Sequence, residues 1–301
     1  MKIAAVVVTY NRISLLKVCV QKLLEQTRIP DMIIIVNNGS TDGTEEWLKT
    51  LPPVVKVINQ ANLGSSGGCN SGFRSAMESG VDWVWTMDDD CNPDANALNE
   101  IVSIKPQIDT IYGSIALNEQ NPKKIVWWIA DEKRRGRYIS DYSNINTPLY
   151  YTRHTIPFLG LFAPKEIIHK IGFPEKNLIL WNDDEEYCFR AMSNGFRLCY
   201  VTKSILKHPP VAYKEISLFG IKTYIYETTY QKNRYFFRNS TYVAKKYNSF
   251  FKFYLCILPV KIIKAAIHSC NSIPSEGKLK NYKTYLSAIL SGIRGELGFI
   301  K

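Results

Sequence analysis

Residues 81–90 read VDWVWTMDDD, a short apolar strand that runs straight into three aspartates, Asp88, Asp89 and Asp90. Ionised carboxylates this close repel one another, so the cluster is tolerable mainly where a hard divalent cation sits among them. The stretch therefore predicts a buried strand whose carboxyl end opens onto a metal site. The competing reading is an acidic turn capping the next helix, because Asn92-Pro93-Asp94 is good turn and helix-start chemistry.

Upstream, the same kind of unit repeats. Residues 3–8 form a β-branched apolar run, 14–26 carry apolar side chains at helical spacing, and 32–36 make another buried strand. Asn37-Asn38-Gly39-Ser40 turns the chain, Asp42 or Thr41 can cap a helix reaching Trp47 and Leu48, and 54–58 is the next strand. Residues 65–79 and 81–87 repeat helix and strand. Strand alternating with helix implies a mostly parallel sheet covered on both faces, and such sheets bind ligands beyond the carboxyl ends of their strands. Four polar loops fall there: Thr9-Tyr10-Asn11-Arg12, Asn37-Asn38-Gly39, Asn59-Gln60-Ala61-Asn62 and the aspartates.

Between the third loop and the aspartates, ANLGSSGGCNSG (61–72) supplies Gly64, Gly67, Gly68 and Gly72. They suit a diphosphate at a helix start, or close packing of a helix on a strand. The segment is neither a GxGxxG fingerprint nor a P-loop, since no GK[ST] follows.

The chain has 301 residues, 46% of them apolar, enough for one large α/β domain or a domain with an extension. No secretory leader is expected, because the apolar run after Lys2 stops at Thr9-Tyr10-Asn11-Arg12. The longest uncharged apolar stretch, 253–260, is far short of the roughly 18 residues of a membrane span, so none is expected. Seven cysteines, odd in number and without CxxC spacing, point to reduced, mostly buried thiols in a cytoplasmic protein. The net charge of +11 lies wholly in the last third: from residue 201 onward 17 Lys and Arg face 4 Asp and Glu. That part suits an anionic partner such as a phospholipid surface, a pyrophosphate-linked substrate or a nucleic acid.

Five segments in order, VVVTYNR (6–12), IIVNNGSTDGT (34–44), NLGSSGGCNSG (62–72), MDDD (87–90) and WNDDEEYCFRAMSNGF (181–196), resemble the inverting family 2 glycosyltransferases of the GT-A fold. The likeness covers about residues 1–210. Within the family, NLGxxGG, the MDDD form of the DxD motif and the W(N)DD...R segment are most similar to galactofuranosyltransferases, with rhamnosyltransferases next. The resemblance implies an α/β, Rossmann-like, mostly parallel sheet flanked by helices at 1–222. Its nucleotide-sugar half would lie near 1–115 and its acceptor half near 116–222, followed by a helical, basic extension at 223–301. It also implies a nucleotide-sugar donor, UDP-galactofuranose first and dTDP-rhamnose second, with Mn²⁺ or Mg²⁺ as cofactor. The implied acceptor is a lipid-linked bacterial surface glycan precursor.

By position in those motifs, Thr9, Arg12, Asn37, Asn62, Gly64, Asp88 and Asp89 are expected around the donor, and Asp88, Asp90 and His208 around the metal. Aligned on Arg190, Asp184 is expected as the general base. Trp181, Asp183 and Glu186 are expected toward the acceptor, with ordering of the site as the other role for Glu186. Asn37 departs from the family pattern, where an aspartate usually binds the base or ribose; an amide adds a donor and drops a charge. The four acids at 183–186 also suit any helix N-terminus, and a lone histidine such as His208 also fits a purely structural role.

Residues 226–247, YETTYQKNRYFFRNSTYVAKKY, resemble the YxxRN segment that follows the catalytic core in bacterial members. Interleaved aromatic and basic residues can also stack bases, but no nucleic-acid module is recognised, and no nucleic acid is expected as a partner. FFKFYLCILPVKIIKAAIH (250–268) offers an apolar stripe bordered by Lys252, Lys261 and Lys264. It is expected either as an interfacial helix broken or kinked at Pro259, or as a helix packed on the catalytic domain or on a second subunit of a homo-oligomer. Either suits a cytoplasmic enzyme, peripheral on the inner face of the plasma membrane. Outside the class, the aspartates would also serve metal-dependent nucleotidyl or phosphoryl transfer, and a non-catalytic glycan-assembly protein is a third reading.

Overall fold

The first strand, β1 (Ile3–Thr9), is buried at every position, as only a central strand covered on both faces can be. The computed structural model describes residues 1–130, 138–218, 221–226, 229–271 and 277–300. In it β1 lies parallel between β2 (Met32–Asn37) and β4 (Trp83–Asp88), with β3 (Val55–Asn59) parallel on the outside of β2. Beyond β4 the sheet continues through β10 (Leu161–Pro164), β6 (Thr110–Asn118) and β11 (Arg197–His208), and ends on the two-residue β5 (Asn92–Pro93). β7 (Asn121–Ala130) pairs with β6, β8 (Tyr138–Asp141) with β7, and β9 (Leu149–Thr152) with β11.

One strand decides where the site can form. β10 is antiparallel to both β4 and β6, so β6, and β11 parallel to it, run in the direction of β4. Thr9, Asn37, Asp88 and His208, each the last residue of its strand, therefore share one edge of the sheet. β5 then pairs antiparallel with β11 through Lys207↔Asn92 and Leu206↔Pro93, which fastens the turn holding the aspartates beside His208.

The two faces follow from alternation along β1. Ala4, Val6 and Val8 enter a core with Cys69 and Phe73 of α3 (Gly64–Glu78), joined by α5 (Lys165–Ile171) and α6 (Asp183–Ser193). Ile3, Ala5 and Val7 enter the other, with Leu16 and Val20 of α1 (Ile13–Leu24), Leu48 of α2 (Thr44–Leu48) and Leu98 of α4 (Ala97–Ser103). The glycines of the 61–72 segment lie mostly inside α3, and packing is what Gly68 and Gly72 do. A Cβ on Gly68 would come within 2.4 Å of Val8 Cγ1, and one on Gly72 within 2.3 Å of Val6 Cγ1.

The chain divides into two compact units, Met1–Lys176 with Asp184–Pro210, and Asn177–Asp183 with Val211–Lys301. Within the second unit β12 (Tyr213–Leu218) and β13 (Ile221–Tyr226) form a two-stranded sheet of their own. The second unit adds α7 (Tyr230–Tyr247), α8 (Leu258–Asn271) and α9 (Lys278–Arg294) around a small core of Phe237, Ala265, Tyr285, Ala288 and Ile289. Residues 227–228 of the YxxRN-bearing segment lie outside the described residues.

One expectation about residues 250–268 is corrected. Pro259 does not break the helix: a π-helical turn, Lys252–Ile257, runs directly into α8. The Leu258 amide bonds the carbonyl of Phe253, and the proline then falls in the first turn of the α-helical part, where a missing N–H costs little. The resulting helix, Lys252–Asn271, is 20 residues long and apolar enough to cross a membrane by length and composition.

Candidate active site at the carboxyl ends of the strands

The loops after β1 and β2 are tied into one ledge. Asn11 adopts a left-handed φ of 52°; its amide donates to Ser40 Oγ at 3.0 Å, and its side-chain oxygen accepts from the Thr41 amide at 2.7 Å. The Asn38 amide donates to the Thr9 carbonyl at 3.0 Å. Asp42, expected to cap the helix of its own loop, also caps α1, accepting the Ile13 amide at 2.9 Å. Asn37 is 2% exposed, and its side chain joins strand ends, accepting from Ser40 N at 3.0 Å and donating to Asn59 Oδ1 at 2.9 Å. Both ends of the amide are thus engaged at the sheet edge where the donor was expected. Asn62 starts α3 by accepting the Gly64 amide at 2.9 Å, where Gly64 takes a φ of 75°.

The aspartates divide by partner. Asp88 closes β4 opposite Val8 and is partly exposed. Asp89 is buried, accepting the Thr9 hydroxyl at 2.7 Å and facing Arg12 at 3.3 Å. Thr9 thereby ties the end of β1 to the aspartate turn. Asp90 pairs with Arg12 at 2.9 Å through Oδ2, while Oδ1 faces His208 Nε2 at 3.4 Å. Arg12, half-exposed, thus holds two carboxylates, and the repulsion that pointed to a cation is relieved in part by Arg12 and His208.

Burial pushes the Asp89 carboxyl above its ordinary value, against the pull of Thr9 and Arg12. Burial also opposes ionisation of Asp90, yet His208 and Arg12 hold it below its ordinary value. The imidazole of His208, burial notwithstanding, is raised by Asp90. Asp90 Oδ1 is buried and has no hydrogen bond. Among the described residues no three His, Cys, Asp or Glu side chains converge as a complete metal cage. A cation here would take Asp90 and His208 from the protein and complete its shell from a ligand, the habit of Mg²⁺-type sites.

The second acidic cluster opens α6. Glu186 is 1% exposed and ion-paired with Arg190 at 2.7 Å, and Arg190 also donates to the carbonyls of Ile171 at 2.6 Å and Phe173 at 3.1 Å. A carboxylate so enclosed ties the helix to the loop that carries Ile171 and Phe173. Asp183 is buried, whereas Asp184 is partly exposed and accepts the Glu185 amide at 2.7 Å. Ahead of them Ile179, Trp181 and Asn182 all have left-handed φ, at 66°, 67° and 62°, a conformation that costs side-chain-bearing residues energy and needs external support.

That support was missed in the sequence. Asn239 of α7 donates through Nδ2 to the carbonyls of Leu178, Leu180 and Trp181 at 2.9, 2.8 and 3.0 Å. Arg238 donates to Leu178 O at 3.1 Å and to Gly298 O, and its Nε bonds Asn239 Oδ1 at 2.8 Å, turning the Asn239 amide toward the loop. Burial lowers the Arg238 pKa to about 10. The ring of Trp181 meets Phe236 edge-on at 6.1 Å. The only signal was the RN of the YxxRN segment.

Residues 4–157 match the model of Glycosyl transferase family 2. The chain is 27% identical over 220 residues to galactofuranosyltransferase GlfT1 of Mycolicibacterium smegmatis, covering 69% of this chain and 70% of the relative. It is 22% identical over 308 residues to dTDP-rhamnosyl transferase RfbF of Shigella flexneri, covering 98% and 97%. Among solved structures, GalNAc-T7 with UDP, GalNAc and Mn²⁺ superposes with a TM-score of 0.61 at 15% identity, over 98% of this chain and 56% of that longer one. A parallel sheet with this site edge, the family match and the shared fold agree, and the chain belongs to glycosyl transferase family 2, as a glycosyltransferase of the GT-A fold.

Proposed function

We propose that this glycosyltransferase moves galactofuranose from UDP-galactofuranose to a hydroxyl of a lipid-linked bacterial surface glycan precursor, inverting the anomeric carbon. The observation that carries the reading is the pair Asp90 and His208: a buried carboxylate oxygen without a hydrogen bond, 3.4 Å from an imidazole nitrogen, at the ligand-binding edge of the sheet. His208 Nδ1 lies 2.7 Å from the Pro209 carbonyl, which favours Nε2 as the ligand nitrogen. Mn²⁺ or Mg²⁺ held by Asp90, His208 and the adjoining Asp88 would supply the positive charge that stabilises the departing diphosphate.

The chain's own groups do the rest. Arg12 keeps Asp89 and Asp90 oriented, and Asn62 and Gly64 present the start of α3 to the diphosphate. Asp184 accepts the proton of the attacking hydroxyl, a contribution of about 10²–10⁴ in rate. Trp181 and Asp183, on the turn held by Arg238 and Asn239, bind the acceptor sugar. One displacement needs no covalent nucleophile, and none is assigned. The enzyme works on the cytoplasmic side, peripheral to the membrane, with the C-terminal helices meeting lipid or a second copy.

The GlfT1 relative supports galactofuranose. The second reading, dTDP-rhamnose, is kept because the rhamnosyl relative matches nearly the whole chain. Thermal stabilisation by a panel of nucleoside diphosphates and nucleotide sugars with Mn²⁺, with and without chelator, tests both, since a ligand of the native state raises its midpoint. Metal-dependent stabilisation by UDP and UDP-galactofuranose is expected. Preference for the deoxythymidine compounds moves the donor to rhamnose, and no response to any diphosphate overturns the reading.

A further inference from the structure

We propose that the exposed apolar edge of the helix at residues 250–263 docks this chain onto an anionic phospholipid bilayer, lying within the interface rather than crossing it. Phe250, Phe251 and Leu255 are 68%, 73% and 72% exposed, and Ile263 is also exposed. Phe251, Leu255, Pro259 and Ile263 recur at every fourth position and form one line along the helix. The Phe250 ring packs against Tyr254 at 4.5 Å, giving the line an aromatic head. Aromatic and aliphatic groups exposed together on one side of a helix are what an interfacial helix inserts among lipid headgroups.

The opposite side is engaged. Phe253 is buried, and Ala265 enters the core of the second unit with Phe237, Tyr285, Ala288 and Ile289. Crossing the bilayer would strip that side from its core, whereas lying on the surface leaves it in place. Charge selects the partner. Residues 228–275 hold eight Lys and Arg and no Asp or Glu. An apolar line on a helix that also exposes Lys252, in a segment that exposes Lys232, Lys245 and Lys246 as well, matches a bilayer with anionic headgroups, in which hydrocarbon and negative charge lie within a few ångströms of each other. A nucleic acid would satisfy the cations and leave Phe251 and Leu255 in water.

This deepens the reading of a lipid-linked acceptor, but binding to vesicles is measured without donor or acceptor, so each can fail without the other. Cys256 provides a native reporter. It is exposed on this stretch, Cys270 is the other exposed thiol, and the remaining five cysteines are buried. The experiment uses the full chain with Cys270→Ser, sedimented with vesicles of phosphatidylglycerol and phosphatidylcholine or of phosphatidylcholine alone, while Cys256 is labelled with a water-soluble maleimide. Expected are sedimentation with the anionic vesicles only, at least tenfold slower labelling of Cys256 when bound, and at least tenfold weaker partitioning of the Phe251→Ser/Leu255→Ser variant. Equal partitioning of that variant, at an unchanged melting temperature, overturns the proposal, as does full Cys256 reactivity in the bound protein. Protection of Cys256 that grows with protein concentration without vesicles would overturn it in favour of a second copy of the chain.

Discussion

At the carboxyl edge of the sheet, Arg12, Asp89, Asp90 and His208 meet one another within 3.4 Å, whereas across residues 228–275 eight cations share the chain with no anion at all. The first arrangement is preorganised: its charges are already held by opposite charges, and a ligand has only to exchange into the set. The second has no acid of its own, and Lys232, Lys245, Lys246 and Lys252 stand exposed in it. Two ways of treating charge thus separate a site built for chemistry from a surface suited to attachment.

The sharpest way to break the comparison is to remove the carboxylate at its centre. Asp90→Ala is expected to lower glycosyl transfer by about 10³-fold and to abolish metal-dependent stabilisation by nucleoside diphosphate. Asp94→Ala, which removes an exposed pair with Lys207 at 3.1 Å, should leave both unchanged. Undiminished Mn²⁺-dependent stabilisation in Asp90→Ala would exclude the metal role given to that residue.

The second unit is not only a charged surface, and Asn239→Ala tests its structural half. Three loop carbonyls lose their donor, which should cost about 3 kcal/mol in urea unfolding and lower kcat more than it raises donor KM. An equal loss in an Asp184→Asn background, measured as stability, is expected, because the turn is held whether or not the base is present.

A smaller effect tests the first unit. Gly72→Ala places a Cβ 2.3 Å from Val6 Cγ1 and should cost about 2 kcal/mol through overpacking. Gly43→Ala meets open space but a φ of 86°, so its cost, about 1 kcal/mol, comes from the backbone alone. Thermal denaturation of the two variants separates these causes; a cheaper Gly72→Ala would mean that α3 can move off β1.

A further test is pH. Burial, then nearby Lys264, lowers His268 to about 4, against 6.5 in the unfolded chain. The folded unit therefore keeps it neutral where the unfolded chain protonates it, and stability is lost as pH falls from 6.5 toward 4, at about 1.4 kcal/mol per pH unit. Above pH 6.5 this group contributes no slope. His268→Gln should flatten the decline in chemical unfolding experiments across that window.

Much of the first unit was legible in advance. Alternating β-branched strands and amphipathic helices gave the parallel half of the sheet within a residue or two at most ends, as in α3 at Gly64–Glu78 against the expected 65–79. The aspartates and His208 were legible because strand ends in such sheets face ligands. Asn37 and Glu186 were legible as polar residues of the site region, but the partners that engage them were not read in advance. Asn59 and Ser40 engage the one and Arg190 engages the other, and only the Glu186–Arg190 pair, four residues apart on one helix, has a sequence signature. The helix through Pro259 was misread because a proline predicts a break only where its missing N–H is needed, and the π-turn ahead of it removed that need.

The sequence by itself determined the alternation of elements, the edge of the sheet where polar residues gather and the basic character of the last third, since each is carried by neighbours along the chain. Only the tertiary structure decided which of those polar groups are spent and which are offered. Thr9 meets Asp89 across 80 residues, Arg12 meets Asp90 across 78, and Asn239 reaches back about 60 to hold the turn before Asp184. Such partners are chosen by strand order and packing, with the antiparallel β10 setting the direction of β11, and no local pattern encodes that choice.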